Sequence, residues 1–208
     1  MIKKDYMSKR LSDLNLAFAS PIWTSLIVNY KDINSRMLEY INLLKSQDPK
    51  GKYKSNMIGW HSDNFDLKKE EVIFFINSIS KNLNQTFQDM GWDTANNEIK
   101  ITNMWSIINY KNSFNARHIH PNNYISAAYY VKAPKNSGNI VFYDPRSENV
   151  IRTPIISKTN KLNSNVFSVE VQEGLLVLFP SYLHHSVDIN KSEKERIVIS
   201  FNIDLRNK

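Results

Sequence analysis

Five histidines occur in the 208 residues, and four fall into two tight groups. His118 and His120 lie in ARHIHPNN; His184 and His185 lie in FPSYLHHSVD. Residues i and i+2 of a strand point to one face, so His118 and His120 can aim two imidazoles at a single point. His184 and His185 are adjacent, so on extended backbone only one of them can turn the same way. Two histidines from one strand and one from a later strand form a facial ligand set for a metal with open positions. The residue types leave the metal open, because a three-His zinc with a water, a hydrolytic centre, fits as well as iron. Arg196, in KERIVISFN eleven residues after His185, favours iron with an acidic cosubstrate. From the start of a long strand it can project beside the metal and hold a carboxylate bidentately. The competing reading is a set of unrelated histidines and a solvated arginine.

These side chains need a β scaffold, and the chain offers one after residue 97. Short β-rich runs at 99–110, 117–120, 124–132, 139–144, 150–156, 166–171, 175–179 and 195–204 are separated by turn clusters. Strands at this spacing predict a sandwich, jelly roll or barrel. Before them the pattern differs. A strand is expected over 18–29, with Pro21 near its start. Met37, Tyr40, Ile41 and Leu44 recur at helical spacing and predict a helix over about 34–46. Val72, Phe75, Ile76, Ile79, Leu83 and Phe87 make one apolar stripe of a long helix that ends near Gly91. Trp60 reads as a core residue, and His61 has no assignment. Trp105 and Asn109 share a strand face and can line a pocket mouth, although Trp105 suits a core equally well.

Composition narrows the chemistry. There is no cysteine, which excludes disulfides, thiol nucleophiles, Cys-ligated zinc and iron–sulfur clusters. Five glycines lie far apart, so no glycine-rich phosphate loop can be built. The net charge of +7 is spread along the chain. It fits a solvated surface, or attraction to an anionic partner such as nucleic acid. Asp13, Asn15 and Pro21 interrupt any signal-like apolar core near the N-terminus. No apolar run is long enough to span a membrane, and a cytoplasmic location is expected. The organisation expected is a flexible arm over 1–16 and a single domain over 17–208, with a helical part at 34–92 and a jelly-roll part at 97–205.

HIHP, ISAAYYV, GNIVFYDPR, EGLLVLFPSYLHHSV and RIVISFN, in that order, resemble the 2-oxoglutarate- and Fe(II)-dependent oxygenases of marine bacteria and phages. MIGWHSD and FASPIW fit the same pattern, so the resemblance covers most of residues 17–204. A more distant likeness runs to prolyl hydroxylases. The resemblance implies an α+β fold: a double-stranded β-helix (jelly roll, cupin-like) with N-terminal helices packed on one sheet. It implies His118 and His185 as metal ligands, Arg196 and Tyr130 on the distal carboxylate of 2-oxoglutarate, and Ser126 in the same pocket. Tyr129 points the other way and packs. Position 120 departs from the His-x-Asp of most relatives. Either His120 is itself the third ligand, the favoured reading, or a water or Asp144 completes the site and His120 stands behind it. Arg146, after Asp144 and Pro145, either positions substrate or is a solvated turn residue.

The activity implied is oxidative decarboxylation of 2-oxoglutarate to succinate and CO₂, coupled through Fe(II) and O₂ to hydroxylation of a substrate. A protein side chain, a nucleobase or a small metabolite all remain open, and a homodimer is compatible with the likeness. Two rivals are a three-His hydrolase or cupin-type dioxygenase that ignores 2-oxoglutarate, and a non-catalytic jelly-roll binding module.

Overall fold

The computed structural model describes residues 12–146 and 154–208. The elements run β1 (Trp23–Leu26), α1 (Tyr30–Gln47), β2 (Asn56–His61), α2 (Glu70–Asp89), β3 (Asn97–His118), β4 (Ile125–Lys132), β5 (Ile140–Tyr143), β6 (Val166–Val169), β7 (Leu175–Pro180), β8 (His185–Val187) and β9 (Arg196–Asn207). The strands pair antiparallel in the order β1-β7-β4-β9-β3-β8-β5-β6, and β2 adds to β3. The sheet curls into the expected jelly roll, with the two helices on one face.

Alternation along the central strands builds both layers at once. In β9, Ile197, Ile199, Phe201 and Ile203 join the helix-facing core. Their neighbours Arg196, Val198, Ser200 and Asn202 line a cavity on the opposite face. In β4, Ile125, Ala127, Tyr129 and Val131 pack toward the helices, while Ala128 and Tyr130 belong to the inner cluster. The helices answer with stripes at helical spacing: Ile33, Met37, Tyr40 and Ile41 on α1, and Val72, Phe75, Ile79, Leu83 and Phe87 on α2. Phe75 meets Tyr129 and Phe201 with ring centroids 5.0 and 6.0 Å apart. Asn34, buried on α1, donates to Val131 O at 2.8 Å and accepts from Tyr129 Oη at 2.7 Å, which ties that helix to β4.

Several sequence expectations change. The separate runs at 99–110 and 117–120 are one strand, β3, of 22 residues. The polar stretch between them reads as a turn, yet β3 stays paired through it: with β9 over its first half, β2 from Ile107 to Asn115, and β8 at Asn115 and His118. Register irregularities at 101–103 and 115–118, and a left-handed Asn112 (φ 67°), let it bend with the curl of the sheet. Strands β2 and β8 had no strand signal of their own. The strand expected over 18–29 shrinks to β1. Of the run at 150–156, residues 150–153 lie outside the described residues and 154–156 are not a strand. Residues 1–11 of the expected arm also lie outside them. Among the described residues, no helix is long and apolar enough to cross a membrane.

Candidate metal centre and carboxylate pocket

His118 ends β3 and His185 begins β8, and the two are direct partners in that strand pair. His120 lies just past the end of β3, where its backbone N–H donates to Ser181 O at 3.0 Å. It therefore reaches the site from a loop and not from the strand position expected for it. The ring centroids stand 4.3 Å apart for His118 and His185, 5.0 Å for His118 and His120, and 5.1 Å for His120 and His185. One nitrogen from each ring lies within 4.8 Å of the others. His184 stays out of this group, as does Asp144, among the described residues.

The backbone orients two of the rings. His118 Nδ1 meets Ala116 O at 2.7 Å and His185 Nδ1 meets Leu183 O at 3.0 Å. A carbonyl only accepts, so each Nδ1 carries the proton and leaves the Nε2 lone pair free for a metal. Burial, with like-charge repulsion among the rings, pushes His185 down to about 3 and His120 to about 4. Burial lowers His118 as well. At neutral pH the cluster is three uncharged imidazoles, the state in which they bind a transition metal.

A cavity of about 550 Å³ opens from this cluster. Its far wall holds Arg196, fully buried. Nη1 donates to the carbonyls of Ser137, Gly138 (3.2 Å) and Asp188 (3.3 Å). Nε and Nη2 have no protein partner. Gly138 makes this contact possible. Its φ is +89°, and a Cβ there would stand 2.3 Å from Asp188 O and 2.9 Å from Arg196 Nη1. Burial lowers the arginine's pKa, while Tyr130 and Asp188 oppose the shift, and a guanidinium keeps its charge throughout. A buried cation with two idle donors is costly until a planar anion takes them. The site thus fits a metal at one end and a carboxylate at the other. Tyr130 lies beside Arg196 on the same wall, its phenol kept protonated by burial.

Other expected residues are distributed differently. Ser126 shares Tyr130's face but is not on the cavity wall. Its hydroxyl donates to Asn202 Oδ1 at 2.7 Å and meets Ser181 Oγ at 2.8 Å. Ser126 thus braces the loop whose carbonyl holds His120. Arg146 is not at the cavity. It pairs with Asp144 through Nε (2.9 Å) and Nη2 (2.7 Å) and lines a separate groove beside residues 14–20 and β6. Trp105 and Asn109 do line the cavity. Trp105 sits between His61, stacked at 5.8 Å, and His120 at 5.6 Å. His61, unassigned from sequence, is therefore a wall residue that arrives on β2. Its Nδ1 is held by Ser62 O at 2.6 Å, and burial lowers its pKa. Lys52 and Lys54 also reach the wall. Asp63, its one acidic member among the described residues, pairs with Lys52 at 3.2 Å.

A jelly roll with three imidazoles at one end of a cavity and an unsatisfied arginine at the other has the architecture of a non-haem iron oxygenase that consumes a 2-oxo diacid. Residues 103–202, a segment that carries all three histidines and Arg196, match the family model described as "Putative 2OG-Fe(II) oxygenase". The chain is a 2-oxoglutarate-dependent oxygenase that uses Fe(II) and O₂. No curated protein matches the sequence. Among solved structures, a prolyl-4-hydroxylase of Pseudomonas putida is 13% identical with a TM-score of 0.60, covering 91% of this chain and 94% of that one. A viral collagen prolyl hydroxylase of Paramecium bursaria Chlorella virus-1, in complex with 2-oxoglutarate, is 13% identical with a TM-score of 0.58, covering 88% and 94%. The epimerase SnoN, in complex with Fe³⁺, α-ketoglutarate and a nogalamycin, is 11% identical with a TM-score of 0.66, covering 90% and 79%. At these identities the likeness speaks for the fold.

Proposed function

We propose that the chain hydroxylates its substrate with Fe(II) held by His118, His120 and His185, and 2-oxoglutarate anchored by Arg196 with Tyr130. One observation carries the reading: the cavity that opens on three neutral imidazoles ends at a buried guanidinium with two idle donors. A hydrolase would have no use for that arginine. When bound, iron and 2-oxoglutarate supply the oxidising power, with release of succinate and CO₂ as O₂ is consumed. The chain's own residues do the rest. Arg196 fixes the far carboxylate, so the 2-oxo acid end is presented toward the histidines. Tyr130 donates its phenolic O–H to the same group. The apolar side chains of Phe179, Val198 and Ile140 line the cavity and limit water. We take residues 17–208 as one catalytic domain, because β1, α1 and α2 all pack on the sheet that carries the site.

The test is anaerobic addition of 2-oxoglutarate to the Fe(II)-loaded protein, followed by visible absorption. A band should develop, weaken at least tenfold in 2-oxoglutarate affinity in Arg196→Ala, and vanish with the iron in His120→Ala. A band untouched by His120→Ala would return the third position to a water or Asp144. Absence of any band, with zinc in the purified protein, would sink the reading.

A further inference from the structure

We propose that Asn109 is a second reader of the cosubstrate's far carboxylate, donating from its side-chain Nδ2 beside Arg196. The proposal rests on the assignment of Arg196 to that carboxylate. Spacing along the strand had grouped Asn109 with Trp105 at a substrate mouth. The register separates them. Asn109 is the direct partner of Arg196 across the β3–β9 pair, whereas Trp105 faces Ser200. Directly opposed side chains on antiparallel strands have Cβ atoms about 4.5–5.5 Å apart. Both side chains line the same cavity, and both are buried, at 1% and 0% exposure.

The hydrogen bonding points the same way. Asn109 Nδ2, Arg196 Nε and Arg196 Nη2 are three buried donors without a protein partner. Buried donors are nearly always paired, so three idle ones on facing residues mark a missing acceptor. A carboxylate has about four lone-pair sites and no proton, so it can accept from a guanidinium fork, an amide and a phenol together. On its other side Asn109 pairs with Gly59, which has no side chain to offer. Gly59 also has no room for one, since a Cβ there would stand 2.9 Å from Ile108 O and 3.4 Å from Asn109 Nδ2. The backbone of Asn109 is fixed from behind. Asn190 Nδ2 donates to Asn109 O and to Lys194 O, each at 2.9 Å, which clamps the middle of β3 to the approach of β9. The backbone that carries the amide and the guanidinium is thus fixed before any ligand arrives.

The test compares 2-oxoglutarate with 2-oxovalerate, which keeps the 2-oxo acid end but has a methyl group in place of the far carboxylate. Each is titrated anaerobically into the Fe(II)-loaded protein and followed by visible absorption. Asn109→Leu should weaken 2-oxoglutarate about tenfold or more, the size expected for one hydrogen bond to a charged group, and leave 2-oxovalerate unchanged. Asn109→Asp should weaken 2-oxoglutarate further by setting like charges against each other. Equal losses for both ligands would mean general damage and overturn the proposal. Full 2-oxoglutarate affinity in Asn109→Asp would also overturn it, since the side chain would then serve only to hold Arg196. Should the leucine variant fail to fold, the aspartate and Asn109→Ser carry the comparison. Arg196→Ala runs alongside. If it keeps normal affinity, the underlying assignment fails; if it alone loses affinity, only the role of Asn109 fails.

Discussion

His118 and His185 each commit Nδ1 to a carbonyl two residues back, and this local geometry sets their metal-binding faces before a metal is present. Their burial has a cost that shows with pH. In the metal-free fold His185 resists protonation to about 3 and His120 to about 4, against 6.5 for a free imidazole. Between those limits the unfolded chain binds more protons than the folded one. Stability of the metal-stripped protein should therefore fall as pH drops below 6.5, by up to about 1.4 kcal/mol per pH unit for each fully shifted group. Urea unfolding at pH 7, 6 and 5 checks this, and a flat midpoint would contradict it. Gly138→Ala should cost at least about 1–2 kcal/mol from the left-handed backbone alone. It should also weaken 2-oxoglutarate, because the new Cβ would crowd Arg196 Nη1. Unfolding curves and a ligand titration separate the two effects. The His-x-His pair and Arg196 were legible in the sequence because few other residues do their chemistry. The posts of Ser126 and Arg146 were not, since polar side chains go to whichever partner the fold brings, here Asn202 for one and Asp144 for the other.

At the scale of elements, helical and inner-strand periodicity was readable, and α1, α2, β4, β7 and β9 fall where their apolar spacing put them. Strand β3 was not readable as one unit. Its polar middle takes support from β2 and β8, elements too short to show a period of their own. His61 was missed for the same reason. Asn34 is the polar tie between the helical layer and the sheet. Asn34→Ala strands Val131 O and Tyr129 Oη in the core and should cost about 2–3 kcal/mol. The loss falls on the face of β4 away from the cavity, so 2-oxoglutarate affinity in the folded variant should match the parent. Chemical denaturation with a parallel absorption titration tests both halves of that statement.

For the whole molecule, the proposed ligands join two stretches of the curled sheet. His118 and His185 belong to the β3–β8 pair, while Arg196 leads β9, which pairs with β3's first half. Iron with 2-oxoglutarate would bridge them, and binding to the folded state alone raises stability by about 2.7 kcal/mol at a hundredfold excess over Kd. Anaerobic melts should show an upward shift with both present, and Arg196→Ala should lose the part that depends on 2-oxoglutarate. A melt indifferent to both would mean that the cavity does not bind them.

The long pairing of β3 with β9 has a consequence for biosynthesis. Asn97 meets Asn207 and Asn109 meets Arg196, so the sheet closes between segments about a hundred residues apart. Contacts of that separation form slowly, and here they cannot form until the ribosome has delivered the later strand. A nascent chain already holding His118 and His120 would carry an open β3 edge and no arginine at the cavity's end. Loading with iron and cosubstrate then waits until β9 has been made and paired, and β3 is the segment most in need of protection until that happens.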